Sequence, residues 1–253
     1  MIGLEIERYR NFLKSPWGTR TRRSDQQKGK GYPPIEKPAP VDGILIDLIP
    51  PRQMSLGVEP LVELIQSRKS RRNFSDEPFS LEELSFLLWA TQGVHRVIGN
   101  GYCTLRTVPS AGARHPFETY ILIYNVTNVD PGIYRYLAVS HRLCRVAPRP
   151  APKTLSEACT GQPWVTTAGL VFVWTVVPYR TEWRYTEIKS PKLIALDAGH
   201  VCQNLYLACE VIGAGTCAIG AYDQTKIDAL VGVDGVEEFT CYLAPAGKIP
   251  KSS

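Results

Sequence analysis

Long apolar runs are missing from this sequence. The longest, residues 168–178, is strand length, whereas a membrane-spanning helix needs about 18 apolar residues or more, so no membrane association is expected. The opening residues, MIGLEIERYRNFLK, carry charge where a signal peptide has its apolar core. The expectation is therefore a cytoplasmic protein. Paired cysteines are missing as well: the seven present are odd in number and form no C-x-x-C. That argues against a disulfide framework or a zinc site, and for small buried residues in a reducing compartment. Histidine is scarce. His95, His115, His141 and His200 stand apart with no ligand spacing, so no metal is expected and packing roles are. The phosphate-cradling G-x-x-x-x-G-K-[ST], the zinc-binding H-E-x-x-H and the nucleophile elbow G-x-S-x-G are all absent. Gly213-Ala214-Gly215 has no glycine at position 218 and follows a helical stretch rather than a strand, which excludes a dinucleotide fingerprint.

What is present is an ordinary globular composition over 253 residues, 44% hydrophobic and 21% charged, enough chain for one large domain or two small ones. Lysine and arginine exceed aspartate and glutamate by five, and the whole excess lies in residues 1–37, where nine bases meet four acids. The remaining chain is neutral, which argues against a basic fold wrapped around nucleic acid and leaves a basic N-terminal arm.

Residues 1–55 read as that arm, rich in Pro and Gly after residue 18 and pinned by Tyr9, Phe12, Leu13 and Trp17, then by Ile44, Ile46 and Leu48. Residues 56–253 read as the folded domain. Leu61, Leu64 and Ile65 predict a short helix ending near Ser67. Ser80 with Glu83 is a capping box that opens a helix through Ala90. Residues 117–124 and 169–177 predict buried strands. A hairpin is predicted to turn near Ser140 and His141, with a short helix around Leu155. Residues 193–211 predict a long helix that Gly213 and Gly215 stop. Asp223 caps a helix through Leu230, and residues 238–244 form a last strand. Helices and strands alternate irregularly, which predicts an α+β fold, not a doubly wound sheet.

Three stretches carry chemistry. In Ser67-Arg68-Lys69-Ser70-Arg71-Arg72, alternate residues of an extended segment point the same way, so Arg68, Ser70 and Arg72 can converge on one anion. Arginine forks suit phosphate and a hydroxyl suits a polyol; a charged helix end leading into solvent is the alternative. In Pro109-Ser110-Ala111-Gly112-Ala113-Arg114-His115, small residues let the backbone lie flat on a planar ligand, or simply lead into a strand. Residues 213–223, GAGTCAIGAYD, can offer backbone N–H groups to a ligand, or merely join two helices.

In this order the three stretches resemble the FMN-dependent nitroreductase superfamily. The likeness is closer to its SagB-type branch of thiazole/oxazole-forming dehydrogenases, through Arg106-Thr107-Val108-Pro109-Ser110-Ala111-Gly112-Ala113 and Asp197-Ala198-Gly199-His200. The resemblance runs from about residue 59 to 248. It implies an α+β homodimer with a central, mostly antiparallel sheet flanked by helices, and FMN bound at the interface. It implies two-electron transfer through flavin N5 to or from a small molecule, with NAD(P)H as a frequent donor. Carried over residue by residue, Arg68, Ser70 and Arg72 match the first FMN-binding segment, with Arg72 the candidate beside N1. Arg106, Pro109, Ser110, Ala111 and Gly112 match the segment that approaches the flavin from the partner subunit. Gly220 and Ala221 match the loop facing N5, and Lys248 matches a C-terminal base on the phosphate.

One departure bears on the branch. Azole-forming members carry a Lys-Tyr pair that assists deprotonation. Arg184-Tyr185 stands in the corresponding stretch, and arginine is a poor general base, although Tyr185 retains a proton to donate. His115 stands where many branch members have an aromatic residue. The readings in play are thus a flavin oxidoreductase, an azoline dehydrogenase acting on ribosomal peptides, a non-catalytic flavin-binding module, and an arm that binds anionic polymers.

Overall fold

The computed structural model describes residues 2–15, 17–18 and 22–250. Seven strands form one antiparallel sheet: β1 (Leu45–Asp47), β4 (Phe117–Ile123), β5 (Gly132–Leu137), β6 (Arg142–Ala147), β7 (Leu170–Val176), β8 (Ala214–Thr216) and β9 (Phe239–Lys248). Their spatial order is β1-β6-β5-β4-β7-β9-β8. A separate hairpin pairs β2 (Val94–Ile98) with β3 (Cys103–Arg106). The α+β expectation holds.

Successive side chains of a strand point to opposite faces, and both faces of the central strands are apolar. Phe117, Ile121, Ile123, Leu170, Phe172, Trp174, Ala244 and Ala246 turn one way, into a cluster with Leu84, Leu87, Leu88, Val201 and Leu205. Those partners belong to helices α3 (Leu81–Gln92) and α6 (Ser190–Val211). Tyr120, Leu122, Val171, Val173 and Leu243 turn the other way, onto Leu155, Val165, Ile227 and Val231. These come from α4 (Pro152–Ala158), the turn 163–167 and α7 (Gln224–Val231). The strands thus read as continuous hydrophobic runs because they have no solvent side. Six of the seven cysteines are buried and all are unpaired.

The predicted caps form. Ser80 Oγ accepts from the Glu83 N–H at 3.1 Å while Glu83 Oε2 accepts from the Ser80 N–H at 2.8 Å, a reciprocal pair contributing about 1 kcal/mol. Asp223 accepts from the Lys226 N–H and Gly232 ends α7 in the left-handed region. Three features are longer or newer than their sequence signals. Strand β9 continues past Ala244 through Pro245, whose carbonyl accepts from the Thr216 hydroxyl at 2.8 Å. Helix α5 (Tyr179–Tyr185) and the β2/β3 hairpin have no clear periodicity in the sequence. Within the described residues no helix is long and apolar enough to cross a membrane.

The arm is attached through Leu48, with Ile46 packed beside it, but not through its first apolar group. Tyr9, Leu13 and Trp17 are largely exposed, and only Leu48 of the second group is buried. Its first part is helical, α1 (Ile2–Asn11). Farther on, polar side chains of the domain seize arm carbonyls: Trp183 that of Lys30 (3.0 Å), Arg180 that of Pro34 (3.0 Å), Arg106 that of Ile35 (3.2 Å) and Arg135 that of Pro38 (2.6 Å). His141 receives Tyr136 and donates to the Ile49 carbonyl at 2.9 Å, as its neutral tautomer requires. An extended segment rich in proline has few N–H donors but keeps its carbonyls, so side-chain donors are what can hold it.

Candidate functional site

The first and third motifs meet at the β8 edge of the sheet. Helix α2 (Leu61–Ser67) stops at Arg68, whose backbone is extended. Ser70 then bridges to Thr216 of β8, and the Arg71 N–H donates to the Thr216 carbonyl at 3.0 Å. This close approach needs Gly215, since a Cβ there would lie 2.4 Å from Arg71 Cδ. Arg71 turns inward and holds Glu210 with two hydrogen bonds, at 3.2 and 2.8 Å. Its neighbours do otherwise. The Arg68 guanidinium sits 5.4 Å from the Tyr206 ring centre, Ser70 Oγ lies 3.2 Å from the Tyr206 hydroxyl, and Arg72 sits 5.2 Å from the Trp164 ring centre. Among the described residues neither Arg68 nor Arg72 has a carboxylate partner, and the two are cations on either side of Ser70, which bridges to the edge strand.

The glycine-rich passage closes onto this cluster. The Ala218 N–H donates to Tyr206 Oη at 3.0 Å. The Ala221 carbonyl accepts from both Thr160 (3.2 Å) and Gln162 (3.0 Å). Gln162 leads to Trp164, which carries Arg72, so both motifs share one wall. Gly220 is exposed, a Cβ on it would meet nothing within 4 Å, and its N–H has no acceptor among the described residues.

The second motif lies elsewhere. Ser110 Oγ donates to Asp197 Oδ2 at 2.5 Å and accepts from the His115 N–H at 2.9 Å, and the Ala111 N–H reaches Asp197 at 3.2 Å. The loop is thereby tied to α6 at Asp197, while the first cluster touches the same helix at Tyr206. Nine residues of helix rise about 13 Å, so one chain does not bring Pro109–Gly112 to Arg68, Ser70 and Arg72. The Ser110 hydroxyl is thereby spent on holding the loop. Gly112 has φ +59, and a Cβ there would lie 2.6 Å from Arg184 Cδ and from the Tyr185 hydroxyl. Arg184 and Tyr185 therefore belong with this loop. Burial pushes the Asp197 carboxyl up, against the downward pull of Ser110 and Ala111. Burial, then Arg106, holds the His115 imidazole down at about 3, so it is neutral. The Arg184 guanidinium is raised: burial alone lowers it, but Tyr185 and Tyr102 outweigh that. It stays a cation.

Two expected ligand residues are otherwise engaged. The Lys248 ammonium is buried on the α3/α6 face, paired with Glu83 and donating to the Ile212 carbonyl at 3.1 Å. It serves the C-terminal end of α6 and is not free for a phosphate. Arg106 lies behind the site, donating to Thr104, Gln92 and the arm carbonyl of Ile35. Burial, then Arg180, lowers it to about 10, and three of its five N–H groups are taken by these partners. Tyr206, Trp164 and Gln162 were not found by sequence reasoning. They lie inside a helix and a turn with no local signature, and only their contacts mark them.

The residues present fit FMN. Two arginines without acidic partners suit a phosphate that carries nearly two negative charges. An unpaired N–H at Gly220 over open space suits a ring nitrogen of a planar group.

Comparison with known proteins agrees. The profile described as Nitroreductase family matches residues 65–248. A protein of Methanocaldococcus jannaschii, provisionally named a nitroreductase (MJ1384), is 30% identical over 188 residues, covering 74% of this chain and 90% of that one. The trifolitoxin-processing protein TfxB of Rhizobium leguminosarum bv. trifolii is 28% identical over 133 residues; the match covers 51% of this chain and 36% of TfxB. A solved structure provisionally described as a nitroreductase, from Ralstonia eutropha JMP134, superposes with TM-score 0.67 at 26% identity, covering 88% of this chain and all of that one. A further one from Desulfovibrio desulfuricans, in complex with FMN, shares the fold at TM-score 0.52 and 18% identity, covering 78% of this chain and 91% of that one. With the antiparallel sheet, the paired motifs at its edge and a family match spanning most of its length, this chain belongs to the nitroreductase family of oxidoreductases.

Proposed function

We propose that this protein exchanges two electrons, as hydride, between flavin N5 and a small molecule, with NAD(P)H as donor, in a homodimer. The observation that carries the reading is the pair Arg68 and Arg72, without carboxylate partners and beside the unpaired Gly220 N–H. Arg68, Ser70 and Arg72 hold the phosphate, ribityl and pyrimidine side of FMN, and the 220–221 peptides face N5. When bound, FMN supplies the hydride chemistry itself. Arg72 places a positive charge next to the ring, which raises its potential. The separation of Pro109–Gly112 from this cluster along α6 is the argument for a dimer: the loop of one protomer covers the FMN of its partner. An exposed stripe on α6, with Leu196, Gly199, His200 and Gln203, offers a face for that contact. Residues 56–253 act as the flavin-binding body and 1–55 as its arm.

The likeness to TfxB favours a second reading, oxidation of azolines in a ribosomal peptide. Arg184 opposes it, because its raised affinity for its proton leaves no general base in the position a lysine fills.

The first experiment is the visible spectrum of the purified protein, repeated without oxygen after NADH or NADPH. Bands of oxidised flavin that bleach with one of them support the reading and identify the donor. A colourless protein that takes up no added FMN overturns it. Flavin bands that neither nucleotide bleaches overturn the donor assignment.

A further inference from the structure

A cavity of about 520 Å³ opens between the arm and α5, within the size of small-ligand sites, about 300–1,000 Å³. Four of its lining residues are cations, Arg22, Arg23, Arg184 and Lys189, and no aspartate or glutamate is among them. Glu187 pairs with Arg22 at 2.9 Å; the other three heads have no carboxylate partner among the described residues. Two rings complete the wall. Trp17 meets Tyr185 edge to face, centres 5.6 Å apart, and Lys189 Nζ lies 4.6 Å over the Trp17 ring. Trp17 is 54% exposed, a large apolar surface left facing a charged cavity.

The walls are fixed. The Gln26 N–H donates to the Trp183 carbonyl at 2.8 Å and its amide to the Tyr102 hydroxyl at 2.9 Å, the same hydroxyl that Arg184 reaches at 3.2 Å. The arm is thereby fastened to α5 at the cavity's edge. The floor is Arg184 and Tyr185, lying against Gly112. On the reading proposed above, which this inference rests on, that loop abuts the flavin, so a ligand in the cavity lies at the reacting ring's side.

We propose that this cavity is the substrate site, that it takes a planar aromatic acid, and that the basic arm is its outer wall. Crowded like charges repel one another when the cavity holds only water, and an anion relieves that repulsion. Guanidinium forks pair with a carboxylate in the plane of the acid group. Trp17 and Tyr185 supply ring faces and edges for the rest of the molecule. A cationic ligand is opposed there by four like charges, and a neutral ring gains the aromatic contact alone. Two of the nine bases of residues 1–37, Arg22 and Arg23, thus have a use in lining the cavity, where their charge also steers anions inward.

Calorimetric titration of the intact, full-length protein with 4-nitrobenzoate and with 4-nitrobenzyl alcohol tests this. The two probes share a ring and differ in charge. The carboxylate is expected to bind about tenfold tighter, with the gap narrowing at high salt. Arg23→Gln and Lys189→Gln each reduce the carboxylate's affinity about fivefold and leave the alcohol's unchanged, and Trp17→Ala weakens both. FMN content, read from the visible spectrum of the same samples, stays constant in all three variants. Equal affinity for the two probes, no binding of either, or a charge preference that survives both charge-removing variants overturns the site. The two proposals fail separately: a protein that takes up no FMN yet still prefers the carboxylate loses the flavin reading and keeps the anion cavity.

Discussion

Arginines serve two ends of this molecule in opposite ways. Where the arm crosses the domain, Arg106, Arg135 and Arg180 each donate to an arm carbonyl, and Arg180 also pairs with Glu118, both 3% exposed. At the β8 edge, Arg68 and Arg72 lie against aromatic rings and meet no carboxylate among the described residues. The residue type is the same, and what differs is whether the chain itself supplies the anion or carbonyl. A buried guanidinium must be paired by the protein, because its desolvation is otherwise uncompensated. A half-exposed one is left for a ligand without cost to folding.

The sharpest break of this comparison is Arg180→Ala. It strands the buried Glu118 and the Pro34 carbonyl, and about 3–5 kcal/mol of stability is expected to go, read by denaturant unfolding. Retention of wild-type stability would mean that the arm junction is dispensable.

Acid tests the same region. His115 is held neutral by burial and by Arg106, with its pKa near 3 against an ordinary 6.5. Between those values the unfolded chain binds a proton that the folded one refuses, so stability falls as pH drops through that window. This group contributes up to about 1.4 kcal/mol per pH unit, and nothing above it. His115→Asn keeps a side chain tolerant of its positive φ and is expected to flatten that limb of the stability curve; an unchanged limb refutes the assignment.

Next come the two fates of a basic side chain near the flavin site. Arg68→Ala and Arg72→Ala are each expected to weaken FMN binding by about 1.5–3 kcal/mol, seen as faster flavin loss on dilution, with the unfolding midpoint of the FMN-free protein unmoved. Lys248→Ala does the reverse. It removes the partner of Glu83 and of the Ile212 carbonyl, lowers the midpoint and leaves FMN affinity as it was. Equal effects of Lys248 and Arg72 on flavin affinity would erase the distinction.

The smallest effect is expected at Arg22. Its pair with Glu187 is largely exposed, so Arg22→Gln changes stability by no more than about 0.5 kcal/mol, and a larger loss would mean that the arm's charges hold the fold.

Much of the architecture was legible along the chain because its determinants are local. The Ser80–Glu83 box, the apolar runs of β4 and β7 and the long apolar body of α6 each declare themselves within a few residues. So did the Arg68-Ser70-Arg72 alternation, which needs only an extended backbone to put three groups on one side. The pieces that failed are those whose meaning lies at a distance. Lys248 was matched to a phosphate-binding base by resemblance alone, and its pairing with Glu83, 165 residues away in sequence, is invisible from its neighbourhood. Tyr206 and Trp164 are ordinary helix and turn residues until Ser70 and Arg72 arrive beside them.

The sequence by itself therefore determined the main elements (α3, α6, α7, β4, β7 and most of β9), the family and which residues carry charge or hydroxyls, since propensity, capping and alternation act between near neighbours. Tertiary structure alone decided which of those charges are used up: burial and the approach of remote carbonyls and carboxylates occupy Arg106 and Lys248, and the absence of any such approach leaves Arg68 and Arg72 facing outward.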